Sequence, residues 1–246
     1  RFGSVVWDFT LENYTRAFEP VYVHVFAESL LIAGTTTVLA LLIGYPTAYA
    51  IARLPDRWRT VALVLVVLPF WTNFLIRTYA WIVLLNSEGL VNRALVDSGL
   101  IAAPLGLLYT PGAVIVGLLY AYLPLVILPV YASVERLDRQ LLEAATNLGA
   151  SRVRAFLDIT LPLTLPGAMV GAIFVFVPSL GNFVVPELLG GGKTVMVGNL
   201  IRDQFLETRD WPFGAVLALF VIALLVALFA LQAFIARRIN GRPARA

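Results

Sequence analysis

Residues 29–52 hold twenty-four consecutive positions without one charged side chain. At about 1.5 Å per residue that run exceeds the ~30 Å of bilayer hydrocarbon, so it reads as a membrane-spanning helix. Four more runs of the same kind follow, at 60–85, 111–133, 163–186 and 211–236, and Arg77 is the one charge within them. The whole chain is 60% hydrophobic and 13% charged, whereas soluble domains carry about a quarter charged residues. The fold class is therefore an all-α membrane protein with five transmembrane helices.

The spans are punctuated. Pro46 is placed to kink the first, and Gly167 and Gly171 give the fourth a small-xxx-small face for close packing. Pro178, Ser179, Gly181 and Asn182 are expected to interrupt that same helix in its second half. Before the first span, residues 1–25 mix Asp8, Glu12, Arg16 and Glu19 with aromatics, as an external lead-in would. Two polar connectors, 86–110 and 187–210, are long enough to fold over the membrane surface.

Charge sets the orientation. Eleven arginines border the loops at 53–59 and 136–154 and the tail at 237–245, against six Lys/Arg on the other side. The positive-inside rule then puts the C-terminus and the 136–160 loop in the cytoplasm. Five spans with an external start fit a six-helix protein whose first helix is missing. With no cysteine and the single histidine His24, disulfide frameworks, Cys/His metal sites and His-centred catalysis are not expected. The net charge of +3 gives no nucleic-acid footprint.

One polar island stands out, EAATNLGASRVRAFLDITLP at 143–162. Asp138 is placed to cap a helix on which Leu137, Leu141, Ala145 and Leu148 form an apolar ridge. Gly149 is suited to end it in a left-handed conformation, and Ser151 to start a second helix that stops near Pro162. A pair of short helices with an apolar ridge beside a charged one suits docking into a groove on another protein. A solvated connector is the plainer alternative.

The spacing Glu143-Ala144-Ala145-x3-Gly149-x9-Ile159-x-Leu161-Pro162 resembles the cytoplasmic loop signature of ATP-binding-cassette (ABC) importer permeases. LPFWTNFLIRTYAW at 68–81, PELLGG at 186–191 and GNLIRDQFLETRDWPFG at 198–214 are similar to the spermidine/putrescine permeases, B-type subunit. That resemblance implies a type I ABC importer transmembrane domain. It also implies four partners, namely a second homologous permease, two cytoplasmic ATPases that bind the ATP and Mg, and an extracytoplasmic solute-binding protein. The chain would bind no cofactor itself, would not be an enzyme, and would sit among lipid in a bacterial inner membrane. Glu143, Ala144, Ala145 and Gly149, with Arg152 beyond them, would form the ATPase-coupling element. Permeases for other solutes such as opines or aminophosphonates, and an ion-coupled secondary transporter, remain alternatives, although the five runs contain no acidic or histidine residue for a proton relay.

For the substrate pathway the candidates are Trp71, Asn73, Ser179, Asn182, Phe183 and Glu187. Freed carbonyls, the Asn182 amide and the Glu187 carboxylate suit a diamine's ammonium groups, and Trp71 and Phe183 add cation–π faces. A proline kink beside a surface glutamate is the bland alternative. Asn73 is either helix-to-helix glue or pathway lining. Arg77 is expected to snorkel to the outer interface, and Tyr120, Tyr122 and Trp81 to form an interfacial belt. Gly192-Lys193-Thr194 lacks the first glycine of a phosphate-binding loop, which Glu187 replaces.

Overall fold

The computed structural model describes residues 10–240. Residues 1–9 of the lead-in and the tail from 241 on, with Arg242 and Arg245, lie outside the described residues. Among those described there is no strand. Five stretches are long and apolar enough to cross a membrane: Pro20–Ala52, Phe74–Asp97, Pro111–Glu135, Arg152–Gly181 and Trp211–Phe234.

In chain order the helices are α1 (Glu12–Arg16), α2 (Pro20–Ala52), α3 (Asp56–Val67), α4 (Phe74–Leu85), α5 (Leu90–Asp97) and α6 (Pro111–Glu135). Then come α7 (Arg139–Asn147), α8 (Arg152–Ala155), α9 (Leu161–Gly181), α10 (Val184–Gly190), α11 (Val197–Leu206) and α12 (Trp211–Asn240).

The bundle is built on α2, α6 and α9, which pack on one another along most of their lengths. On α2 the buried positions are small: Ser29, Ala33, Thr37, Ala40, Gly44, Ala48 and Ala52 recur every three or four residues. Lipid tails are as apolar as leucine, so helices associate in a bilayer by close packing, and small side chains permit it. A methyl on Gly44 would lie 2.8 Å from Val126 Cγ1 of α6. The expected Gly167/Gly171 face of α9 does the same work, since a methyl there would lie 2.7 Å from Pro129 O and 3.0 Å from Val126 Cα. The resulting core joins Ala40, Ala48 and Ile51 to Val126, Ile127, Val130, Ala168 and Val175.

By contrast α3 buries no residue, and α12 exposes Leu219, Ile222, Val226 and Phe229. The start of α12 is anchored by an ion pair. There Arg16 Nη1 donates to Asp210 Oδ2 at 2.6 Å and its guanidinium stacks 4.1 Å over Phe213. That hydrogen bond is the main reason the Arg16 pKa is raised.

Three sequence expectations change. The run 60–85 is not one helix: α3 gives way to a 3₁₀ turn, Leu68–Trp71, and α4 starts afresh. Pro69 supplies no N–H, and the Asn73 carbonyl oxygen accepts from the N–H groups of Leu75 and Ile76 at 2.8 and 3.3 Å, capping the new start. In the fourth run Pro178 is carried within α9, which breaks only at Asn182 and Phe183. Finally, the helix after Ser151 does not stop near Pro162. A π-turn at Phe156–Thr160 leads straight into α9, absorbing the N–H that Pro162 lacks.

The α6–α9 contact predicts an asymmetry between two glycines of one helix. Gly167→Val drives a branched side chain into Ser133 and Pro129 and lowers stability by about 1–3 kcal/mol. Gly181→Ala meets nothing within 4 Å and leaves stability unchanged; thermal unfolding of the two variants in detergent separates them.

Candidate functional site

The polar island folds as an elbow. The Asp138 carboxylate accepts from Gln140 N–H at 2.9 Å and starts α7. At the other end Gly149 has φ +84, Ala150 N–H donates to Ala145 O at 2.9 Å, and Gly149 N–H donates to Thr146 O at 3.0 Å. This is a Schellman stop, which needs a left-handed residue where the glycine sits. Ser151 Oγ then accepts from Arg154 N–H at 3.3 Å and opens α8.

Glu143, Ala144, Gly149 and Arg152 are exposed, and Ala145 is half-buried. Of the expected apolar ridge, Leu141 and Leu148 are exposed, the latter by 89%, and Leu137 and Ala145 are half-buried; Val153 of α8 adds a further exposed apolar side chain at 68%. Leu142 is half-buried and lines a cavity with Tyr49 and Arg53 at the end of α2. The elbow thus presents apolar side chains beside the Glu143 carboxylate, a surface that a single protein chain in water leaves uncovered only for a partner.

A second constellation lies inside the bundle. Tyr122 is eleven residues into α6, or about 16 Å along it, near the middle of a ~30 Å bilayer. Asn182 Nδ2 donates to the Tyr122 hydroxyl at 2.8 Å, while its carbonyl oxygen accepts from Val185 N–H at 2.8 Å and so caps α10. Asn73 and Asn182 therefore do one job at two breaks: each supplies to a new helix start the acceptor that its own chain no longer provides. Phe183 O accepts from Asn199 Nδ2 at 2.8 Å, which satisfies the carbonyl at the second break. Ser179 Oγ is fully buried without a partner.

The guanidinium carbon of Arg77 lies 5.7 Å from the Phe70 ring, 5.8 Å from Phe74 and 6.0 Å from Tyr120, and its buried Nε and Nη1 find no acceptor among the described residues. The residues expected to form a belt divide. Trp81 and Tyr120 stack edge-on at 5.6 Å, and Tyr122 is an interior hydrogen-bonding group. Its eleven-residue distance from Pro111 is the sequence signal that separates it from an interfacial tyrosine.

Glu187 and Phe183 are already engaged. Glu187 pairs with Arg202, whose guanidinium also meets Asp203 at 2.8 Å and Glu207 at 3.5 Å and lies 5.6 Å over the Phe183 ring. The hydrogen bond to Asp203, then that to Glu187, raises the Arg202 pKa. Three carboxylates around one guanidinium leave this surface net negative. Trp71 is 84% exposed and meets no other ring among the described residues. The structure thus brings Asn182, Phe183 and Glu187 into one neighbourhood and leaves Trp71 and Asn73 at the other break.

Together the broken spans, the exposed elbow and the small-residue core define a polytopic membrane protein with a protruding helical elbow. Residues 26–241 match the family described as binding-protein-dependent transport system inner membrane component, and the chain belongs to that family. It is 45% identical over 242 residues to the spermidine/putrescine transport system permease protein PotB of Haemophilus influenzae, covering 98% of this chain and 83% of that protein. The protein of the same name from Escherichia coli is 46% identical over 207 residues, 84% of this chain and 75% of its own length. In fold the chain is similar to a bacterial ABC transporter involved in import of the acidic polysaccharide alginate. That match has a TM-score of 0.75 at 19% identity over 95% of this chain and 85% of the other.

Asn182→Ala removes both the α10 cap and the partner of Tyr122, and lowers stability by about 1–3 kcal/mol. Tyr122→Phe costs less, and the double variant costs less than the two singles together; a double-mutant cycle on thermal unfolding measures the coupling.

Proposed function

We propose that this chain is a permease subunit of an ATP-driven importer of polyamines such as spermidine and putrescine. The observation that carries the reading is likeness at 45% identity, over nearly the whole chain, to a permease named for those solutes. Identity falls to 27% against a putative 2-aminoethylphosphonate transport system permease of Salmonella paratyphi A, so the aminophosphonate alternative is the weaker one.

In this reading the chain pairs with a second homologous permease. Two cytoplasmic ATPases hold ATP and Mg, and an extracytoplasmic protein delivers the solute to the connectors at 86–110 and 187–210. The elbow carries Glu143, Ala144, Ala145, Gly149 and Arg152 into a cleft of one ATPase, with Leu148 and Val153 as its apolar contacts. The C-terminus lies in the cytoplasm, as the arginine distribution favours. When ATP draws the ATPases together, the elbow is pushed, and the breaks at 68–73 and 182–183 let the outer half-helices tilt against the inner ones. The net-negative surface around Glu187, Asp203 and Glu207 favours the arrival of a cation, and Asn182, Phe183 and Ser179 lie inward of it.

Gly149→Val forces a β-branched residue to a positive φ, which costs about 1–2 kcal/mol locally, and unseats the turn that sets the angle of the elbow. ATP-driven uptake of radiolabelled spermidine by the reconstituted complex then falls about tenfold or more, while the variant still inserts. Normal uptake by that variant refutes the coupling role, and uptake that persists without ATP but collapses with the proton gradient refutes the importer reading.

A further inference from the structure

Between the end of α2 and the elbow lies an open cavity of about 400 Å³. Its polar lining comes from Tyr49, Arg53, Thr146, Arg152 and Thr160, and Phe156 backs it. Thr160 is fully buried, yet its Oγ1 has no hydrogen-bond partner. A buried hydroxyl without a partner, on a cavity wall, needs an acceptor or donor from elsewhere.

The charges on this wall are also unspent. Arg59 is paired with Asp56 and Glu135, and Arg154 with Asp158. Arg53, however, meets only the ring and hydroxyl of Tyr49, and no carboxylate pairs with Arg152 among the described residues. No acidic side chain lines the cavity. Two guanidinium groups and hydroxyls converging on one space form the donor set for a phosphate, which accepts several charge-assisted hydrogen bonds at once. On the helix that carries Thr160, Leu157 and Leu163 are exposed apolar side chains, as a surface facing hydrocarbon would be.

We propose that this cavity binds a phosphate group, and that in the membrane the phosphate is the headgroup of an anionic phospholipid of the inner leaflet. The proposal rests on the orientation given above, in which the elbow lies at the cytoplasmic surface. Basic pockets between helices on that side are suited to anionic headgroups. An acidic side chain of an ATPase is the competing occupant, and the exposed apolar rim together with the buried hydroxyl favours the lipid.

The test uses the assembled transporter in phosphatidylcholine vesicles doped with phosphatidylglycerol, with native mass spectrometry counting phosphatidylglycerol retained on this subunit. The unsubstituted chain retains the lipid, and Arg53→Gln retains about tenfold less, the worth of one charge-assisted hydrogen bond. Thr160→Val also retains less but unfolds at the same temperature, because the hydroxyl it removes has no partner within the chain. If inorganic phosphate alone, in vesicles of phosphatidylcholine only, binds with the same sensitivity to both variants, the phosphate site stands and its lipid source is refuted. Equal retention by all three chains overturns the proposal. So does retention that appears only once the ATPase subunits are stripped from the complex, which makes the cavity a protein socket. Spermidine uptake is measured in the same vesicles: its loss with lipid retention intact counts against the transport reading alone.

Discussion

Everything in this protein depends on how closely α2, α6 and α9 approach one another. In water a helix gains by hiding leucines, whereas in hydrocarbon it gains little, so contact must come from packing of backbone on backbone. The alanines, threonines and glycine on the buried face of α2 and the glycines of α9 against Val126 and Pro129 are what permit it. Further along α12, Leu219, Ile222, Val226 and Phe229 face outward, while Phe213 and Leu217 at its start are buried.

A tight three-helix centre allows irregular backbone to survive at depth. Breaks in a span are tolerated where protein or a polar cavity surrounds them and where the freed groups find partners. At both breaks an asparagine placed before the half-helix supplies a partner to freed backbone groups, and the second break, inside the bundle, adds Asn199 and Tyr122 as further partners. An asparagine that looks costly in an apolar sequence is therefore a local requirement of the chain's own backbone. This changes what such a residue can do for a solute, since its carbonyl oxygen is committed and at most its amide can turn to another partner.

The sequence made the class, the five apolar stretches and the elbow plain, because each rests on a signal that survives without tertiary information: apolar length, and a capped pair of helices around Gly149. Where it failed, the reason was geometric. The break before Asn73 is invisible to hydropathy because Leu68, Pro69, Phe70 and Trp71 are as apolar as a helix would be. Glu187 reads as a free carboxylate until Arg202, fifteen residues on, is folded against it.

The π-turn at Phe156–Thr160 deserves a mechanical reading. Had the helix stopped near Pro162, the elbow would hang from α9 by a flexible joint, and a push on it would dissipate as local motion. Instead helical hydrogen bonding runs from Arg152 to Gly181 with only the register shifted. The second arm of the elbow, α8, is therefore the end of the same rod that packs on α6 and terminates at the Asn182 break. A force on Arg152 or Val153 is transmitted along about 45 Å of continuous helix to the point where the backbone can yield. The extra residue that the π-turn accommodates keeps that rod intact across a proline.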